Sequence, residues 1–561
     1  MKISKTIIRI FIYFSLTLCV IASCFLYIFG DINKLKNLVE QNLKNQLTCT
    51  VKLGELSWDW DGLKLGVTTS EISLYDKDNN LVLQAGPSRF IWHIKSILTG
   101  TYSHFYGIES ANMYLNAIRY KDGSFNIIKI FPPGPPPKAD NLKLNNSIIY
   151  FVDESDPASN KATLYKELNL NLQSKSFSKV KHIDLFSRIG SETSPSFIQV
   201  KGKYTDNKKI TWDKGEFDLN IFAKKIDLTK FEGFIAGSFK EPEIKKISGE
   251  FSGKIHLHKK KHEKRTKVKS VTRTNNFVVE LQNKGVSQLI RIPKTTLVVN
   301  STIDKDKIEI KTLKSTIDEL SYTLQGFIYN WSKELPDLDI EFKTNKFNFK
   351  EVKPYIPLSL LPGDARSRIE PINDDGLVEV NLKLSGPSIA PRYSGAILLD
   401  NFNLTKESGF FREIHGLRSK LVLDNEAINI DYLDIPIENS LLALTGKINN
   451  QSTVFKLSGN GLNLNVLTDL LFQAGFEPPI EIESSGKLDL NLDVNAPRDI
   501  PPEIKGKLTF HNAGLSTPHE IESVEVKNVF GDVLLDGSKV IFNKLTGLVN
   551  NEGFYVNGDF L

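Results

Sequence analysis

From Gly376 to Leu561 the chain states one pattern twice, and that pattern is a β-sheet with an oily face and a polar back. The segment Gly376-Leu-Val-Glu-Val-Asn-Leu-Lys-Leu-Ser-Gly-Pro387 returns as Gly486-Lys-Leu-Asp-Leu-Asn-Leu-Asp-Val-Asn-Ala-Pro497, displaced by 110 positions. Gly395, Asn401 and Leu404 return as Gly506, Asn512 and Leu515, displaced by 111, while Gly416 and Gly446 pair with Gly531 and Gly558. A fixed period implies a supersecondary unit stacked on copies of itself. Such an array excludes most enzyme folds before any catalytic motif is sought.

Within the repeat, Val378, Val380, Leu382 and Leu384 alternate with Glu379, Asn381 and Lys383. Leu488, Leu490, Leu492 and Val494 alternate in the same way with Asp489, Asn491 and Asp493. Successive side chains of a strand point to opposite faces, so these eight apolar residues are predicted on one face and the polar ones in water. A weaker copy lies upstream. Ile255 and Leu257 follow Gly253 as Val378 and Val380 follow Gly376, and the hairpin Leu297–Ile310, ending at Gly326, resembles Leu421–Ile430, ending at Gly446. A short signature recurs between the copies: Ile226-Asp-Leu228, Phe347-Asn-Phe349 and Leu462-Asn-Leu464, each downstream of an alternating run. For a single strand an ordinary sandwich core is the better reading. The same face sustained over several hundred residues is not explained that way, because a compact core stops growing at roughly 250–300 residues.

No Ser- or Gly-rich linker divides the 561 residues, so one elongated body is expected. A net charge of +5 gives no sign of nucleic-acid binding as a main task. Of three cysteines, Cys19 and Cys24 lie in an apolar stretch, and Cys49 alone cannot form an intrachain disulfide framework. Ile10–Phe29 is a 20-residue run without a charge, long enough to span a bilayer core. Lys2, Lys5 and Arg9 precede it and Asp31 follows, which places the amino terminus in the cytoplasm and everything after Gly30 across the membrane. Ile21-Ala-Ser-Cys24 resembles a lipoprotein cleavage site, but the apolar run continues through Phe25–Phe29 and favours an uncleaved anchor. Beyond it, Ile32, Leu35, Leu38, Val39 and Leu43 recur at helical spacing, predicting a short amphipathic helix that lies on the membrane or caps the first strands. From Thr50 the pattern is almost wholly β, with Val466–Gln473 the chief helical exception. Phe131–Pro137 is too proline-rich for a sheet interior and marks a boundary loop.

Candidate chemistry is sparse. His256, His258 and His262 lie in His-Leu-His-Lys-Lys-Lys-His. Imidazoles two apart share a strand face, but no Asp, Cys or further His converges in the sequence, and the lysines would repel a cation. A solvated loop is the reading, and no metal or cofactor is expected. The basic run Lys259–Lys269 reads as a loop insertion, with contact to anionic headgroups as the alternative. No nucleophile elbow, P-loop, dinucleotide fingerprint or zincin helix occurs. The acidic pairs Asp374-Asp375 and Asp153-Glu154 sit in turn-like contexts without a partner. A non-enzyme without catalytic residues is expected.

Three pieces together resemble the AsmA-like family of bacterial envelope proteins, within the wider group of bridge-like lipid-transfer proteins. They are the single anchor, the block Val51–Tyr75 leading into Phe90–Gly100 and Tyr120-Lys-Asp-Gly-Ser-Phe-Asn126, and the Leu-x-Gly hairpin endings at Leu444-Thr-Gly446 and Leu457-Ser-Gly459. Its YhdP-type members are most similar, through the Trp58-Asp-Trp60 opening. The resemblance implies a gutter-shaped antiparallel sheet, anchored in the inner membrane, whose apolar groove carries phospholipid toward the outer membrane. The eight apolar residues above would line that groove. The expected divisions are an anchor at 1–30, an amphipathic helix and β-rich portion at 31–130, a boundary loop and sheet at 131–245, and repeats at 246–375, 376–485 and 486–561. By its own period the chain stops mid-hairpin at Tyr555–Leu561, as a shortened member, a split-gene product or one segment of a bridge completed by outer-membrane or further envelope proteins. The rival readings are a scaffold or assembly factor for outer-membrane proteins that carries no lipid, and a β-rich surface adhesin.

Overall fold

The computed structural model describes Thr17, Cys19, Val20 and most of residues 32–560, leaving out chiefly 94–103, 128–137, 155–161, 206–214, 232–242, 406–412, 474–482 and 518–523. The described chain is mainly β, with 31 strands in one mixed sheet that does not close. It groups into two compact units, residues 1–240 with 246–274, and residues 241–245 with 275–561. Among the described residues no helix is long and apolar enough to cross a membrane. The expected anchor Ile10–Phe29, apart from Thr17, Cys19 and Val20, and the loop Phe131–Pro137 lie outside the described residues.

The expectation of a purely antiparallel sheet is corrected in the first unit. Lys138–Asp153 pairs in parallel with both His104–Ala111 and Tyr114–Arg119. Alternation tells which face a side chain occupies and carries no information on strand direction. Upstream, each long strand is broken at its middle: Thr50–Leu53 and Leu56–Asp61 are two halves of one, as are Leu81–Ala85 and Ser88–His93. Trp58 pairs with Val67 and Val67 with Phe90 on one side of the breaks, and Val51 pairs with Leu74 and Leu74 with Leu83 on the other. The breaks line up, stitched by Gly54 N–H to the Glu71 carbonyl (2.8 Å), Gly86 N–H to the Ala111 carbonyl (3.0 Å) and Asn112 N–H to the Asn145 carbonyl (3.0 Å). One line of interruption therefore crosses the sheet.

Of the segment expected as an amphipathic helix, Ile32 and Leu35 are described, while Leu38, Val39 and Leu43 lie outside the described residues. Ile32–Leu35 forms a 3-10 turn. The Asn33 side chain donates to the Leu56 carbonyl (3.0 Å) and accepts from the Leu56 N–H (2.7 Å), while Glu40 Oε1 accepts from the Leu53 N–H (2.7 Å). Strand-end groups without a neighbouring strand are thereby satisfied.

In the second unit the repeat is visible as register. Gly326 pairs with Ile310, Gly446 with Ile430 and Gly558 with Phe542, and the same bulge follows at Ile310/Leu313, Ile430/Leu433 and Phe542/Leu545. Asp318, Glu438 and Asn550 then take left-handed φ values of 47°, 52° and 49° at the same place in the turn. The weaker upstream copy thus shares the strand arrangement of the other two. Leu382 opposite Gly395 likewise repeats as Leu492 opposite Gly506. Both glycines have φ of 140°, and a Cβ there would collide with the carbonyl oxygen of Asn381 or Asn491. Only glycine fits that backbone.

The short signature marks where a strand passes into a helix. Ile226, Phe347 and Leu462 are 5%, 7% and 0% exposed. The residue after each is a helix cap: Asp227, Asn348 and Asn463 accept from the backbone N–H two positions on, at 3.0, 3.0 and 3.1 Å. The helical segments Leu228–Phe231, Phe349–Val352 and Leu464–Gln473 follow. Asp and Asn suit this place because a short side-chain oxygen reaches an otherwise unpaired helix N–H.

Candidate functional site

All eight apolar repeat residues lie on one face of the second unit. Val380 pairs with Ile397, and the ladder passes through Leu421, Ile430, Gly446 and Phe455 to Val494. Residues directly opposite across a ladder share a face, and so do alternate residues of one strand. A second ladder runs from Val299 through Leu313, Leu324, Phe342, Leu382, Gly395, Leu423 and Ile428 to Ile448. A third runs from Leu433 through Leu444, Leu457, Leu492, Gly506, Leu535 and Val540 to Phe560. Every rung is apolar or glycine. Linked through shared strands, they carry one apolar face from Val286–Ile303 to Glu552–Phe560, roughly 70 Å measured across strands spaced ~4.8 Å apart.

The reverse face is wet. Asn381, Lys383, Asn491 and Asp493 are exposed, and ion pairs cross it at Lys383–Asp339 (3.2 Å), Lys456–Asp493 (3.1 Å) and Lys507–Asp532 (2.9 Å).

Cover over the apolar face is uneven. Val378 is packed in a cluster with Phe347, Val352 and Phe402, and Leu488 and Leu490 in one with Leu462 and Val466 of the helix Leu464–Gln473. Those three belong to the chain's own core, as the sequence alone did not show, and Val494 is also buried. Val380, Leu382, Leu384 and Leu492 are half-buried. Tyr393, Ile448 and Phe560 on the same face are 43%, 40% and 57% exposed.

A second apolar feature, absent from the sequence reading, lies in the first unit. A cavity of about 500 Å³ is walled by Val51, Leu53, Ile72 and Leu74 from one side of the line of interruption. Trp58, Val67, Phe90, Trp92 and Phe105 come from the other, and Ile32 and Leu47 close over it. Its size falls among small-ligand sites, which run about 300–1,000 Å³. Trp58, Val67 and Phe90 are the first rungs of a ladder that continues through Ile108, Leu142, Leu172, Ile183, Gly202 and Leu219 to Leu257. The alternations Val51/Leu53, Ile72/Leu74 and Phe90/Trp92 were the signal for it. Trp60, by contrast, is 61% exposed.

Three members of the acidic pairs have partners. Asp374 accepts from the Thr405 N–H (3.0 Å) and hydroxyl, Asp375 from the Asn348 amide (2.9 Å), and Asp153 pairs with Arg119 (3.3 Å). The histidine reading also needs correction, because an aspartate does converge. Asp218 lies 2.8 Å from His256 Nε2 and 3.6 Å from His258 Nδ1, brought there by the adjacent strand Phe217–Asp227. The hydrogen bond from His256 holds the Asp218 carboxyl below the usual carboxylate range, against a smaller opposing effect of burial. His262 lies outside the described residues. Cys49 is buried, which pushes its thiol up. No family model matches the chain, nor does any curated protein or solved structure.

Proposed function

We propose that this chain is a lipid-carrying protein of the bacterial envelope, anchored by Ile10–Phe29 in the inner membrane, with its bulk in the periplasm. Phospholipid acyl chains lie along the apolar sheet face while headgroups stay in solvent, as the AsmA-like resemblance implies. The observation that carries this reading is the unbroken apolar ladder of the second unit, half-buried over much of its length. Soluble monomers rarely leave contiguous apolar patches larger than a few hundred Å² exposed, and acyl chains would cover this one. Glycines at φ of 140° such as Gly395 and Gly506 give the backbone the freedom that bending a sheet around such cargo would need. Ile32, which closes over the cavity, follows directly on the proposed anchor in sequence, a fitting place for a chain leaving the bilayer. No step requires a catalytic group or cofactor.

Mass spectrometry of lipids retained by the detergent-extracted protein tests the proposal. Phospholipid should remain bound to the wild type, fall at least severalfold in Leu382→Asp and Leu492→Asp, and persist in Asn381→Asp and Asn491→Asp. Equal retention in folded variants of both faces would favour a scaffold that carries no lipid.

A further inference from the structure

We propose that Asp218, His256 and His258 form a binding site for a divalent cation of the zinc class. The strand register, more than the sequence, brings them together. His258 lies directly opposite Asp218, and His256 opposite Asn220, so the carboxylate and both imidazoles project from one face of two adjacent strands. One ligand atom from each residue lies within 4.8 Å of the others. Ligands at 2.0–2.1 Å around a tetrahedral zinc stand roughly 3.3 Å apart. Side-chain adjustments of up to about 1.5 Å close the set, and these side chains, 29–36% exposed, have solvent around them in which to make them. That exposure also leaves a fourth position open to water or to a ligand from elsewhere. Two nitrogens with one carboxylate suit zinc, nickel or copper better than magnesium or calcium, which prefer oxygen.

The site is independent of the lipid reading, because Leu219, Ile221, Ile255 and Leu257 occupy the opposite face of the same strands. Lys203 lies across the ladder from Asp218 and acts against the cation. Lys259 and Lys260 line the same hollow as Glu216 and Glu263, and Glu263 pairs with Lys260 (3.9 Å) and Lys267 (4.0 Å), so Glu216 is the further carboxylate that favours a cation there.

The test uses the full chain in detergent, stripped with chelator and titrated with zinc chloride by calorimetry. One zinc per chain is expected, raising Tm as a ligand specific to the folded state does. Asp218→Asn, His256→Ala and His258→Ala should each weaken binding at least tenfold and abolish the rise in Tm. Lys203→Gln should tighten it about twofold by removing a nearby like charge. His511→Ala disrupts a lone His–Asp pair in the second unit, His511 to Asp489 at 2.7 Å, and should change nothing. Melting without metal identifies any variant that fails to fold, and cobalt substitution supplies a second readout through its tetrahedral absorption bands. Absence of stoichiometric zinc binding would overturn the site, as would wild-type affinity in the folded histidine variants.

Discussion

Single residues carry unequal shares of this fold, and burial and backbone conformation decide which matter. Leu462 has no solvent exposure and joins a strand end to the helix above it. Leu462→Ala should cost about 2–5 kcal/mol by losing transfer energy and leaving a cavity, measurable by urea denaturation of the solubilised protein. Gly506→Ala should cost about 1–3 kcal/mol through left-handed strain, with the added collision against Asn491. Charge acts more gently. Hydrogen bonds from the Thr509 hydroxyl (2.7 Å) and Lys507 hold Asp532 below the usual carboxylate range. A carboxylate depressed in the fold stabilises it fully above the unfolded value near 3.9, and loses that contribution as pH falls through the folded value. Asp532→Asn should therefore flatten the acid limb of stability below about pH 4, seen as a smaller drop in Tm than in the wild type. The apolar repeat residues were legible one by one, since period-2 alternation is a property of each strand. Asp218 meeting His256 and His258 was not, because that meeting depends on the register between two consecutive strands, which brings together residues 38 positions apart.

At the scale of elements, the recurrent strand-to-helix junction is the clearest device. Asp227, Asn348 and Asn463 each cap a short helical segment, and two of those segments contribute Val352 and Val466 to clusters on the apolar face. Replacing Asn463 by Ala should cost about 1 kcal/mol and loosen the helix Leu464–Gln473, detected as faster amide exchange there than in the flanking strands. The signature φ-Asp/Asn-φ was visible in the sequence, yet its meaning was not, since a cap is defined by a hydrogen bond and not by composition. Helix Val466–Gln473 was legible from its spacing because its apolar positions follow a 3.6-residue period. The parallel pairing of Lys138–Asp153 left no such trace. Nor did the line of interruption through Gly54, Gly86 and Asn112, which brings residues from both halves of the broken strands to one cavity. Trp92→Ala should enlarge that cavity and lower stability by about 3–5 kcal/mol, while Trp60→Ala, exposed, should lie within ~0.5 kcal/mol of wild type.

For the whole molecule, the proposed function makes two claims: that acyl chains cover the long apolar face, and that the amino terminus holds the chain at the membrane. The second claim predicts that protease added to spheroplasts digests the region after Gly30; a full-length product protected until lysis would reverse the topology. The first claim has the more direct test. A photo-crosslinking amino acid placed at Leu382 or Leu492 faces the proposed acyl chains, whereas at Asn381 or Asn491 it faces water one position away on the same strand. After irradiation of intact cells, the account predicts phospholipid adducts at Leu382 and Leu492 and background at Asn381 and Asn491. Equal labelling at all four positions, or labelling at none of them in a folded, membrane-bound protein, would contradict it.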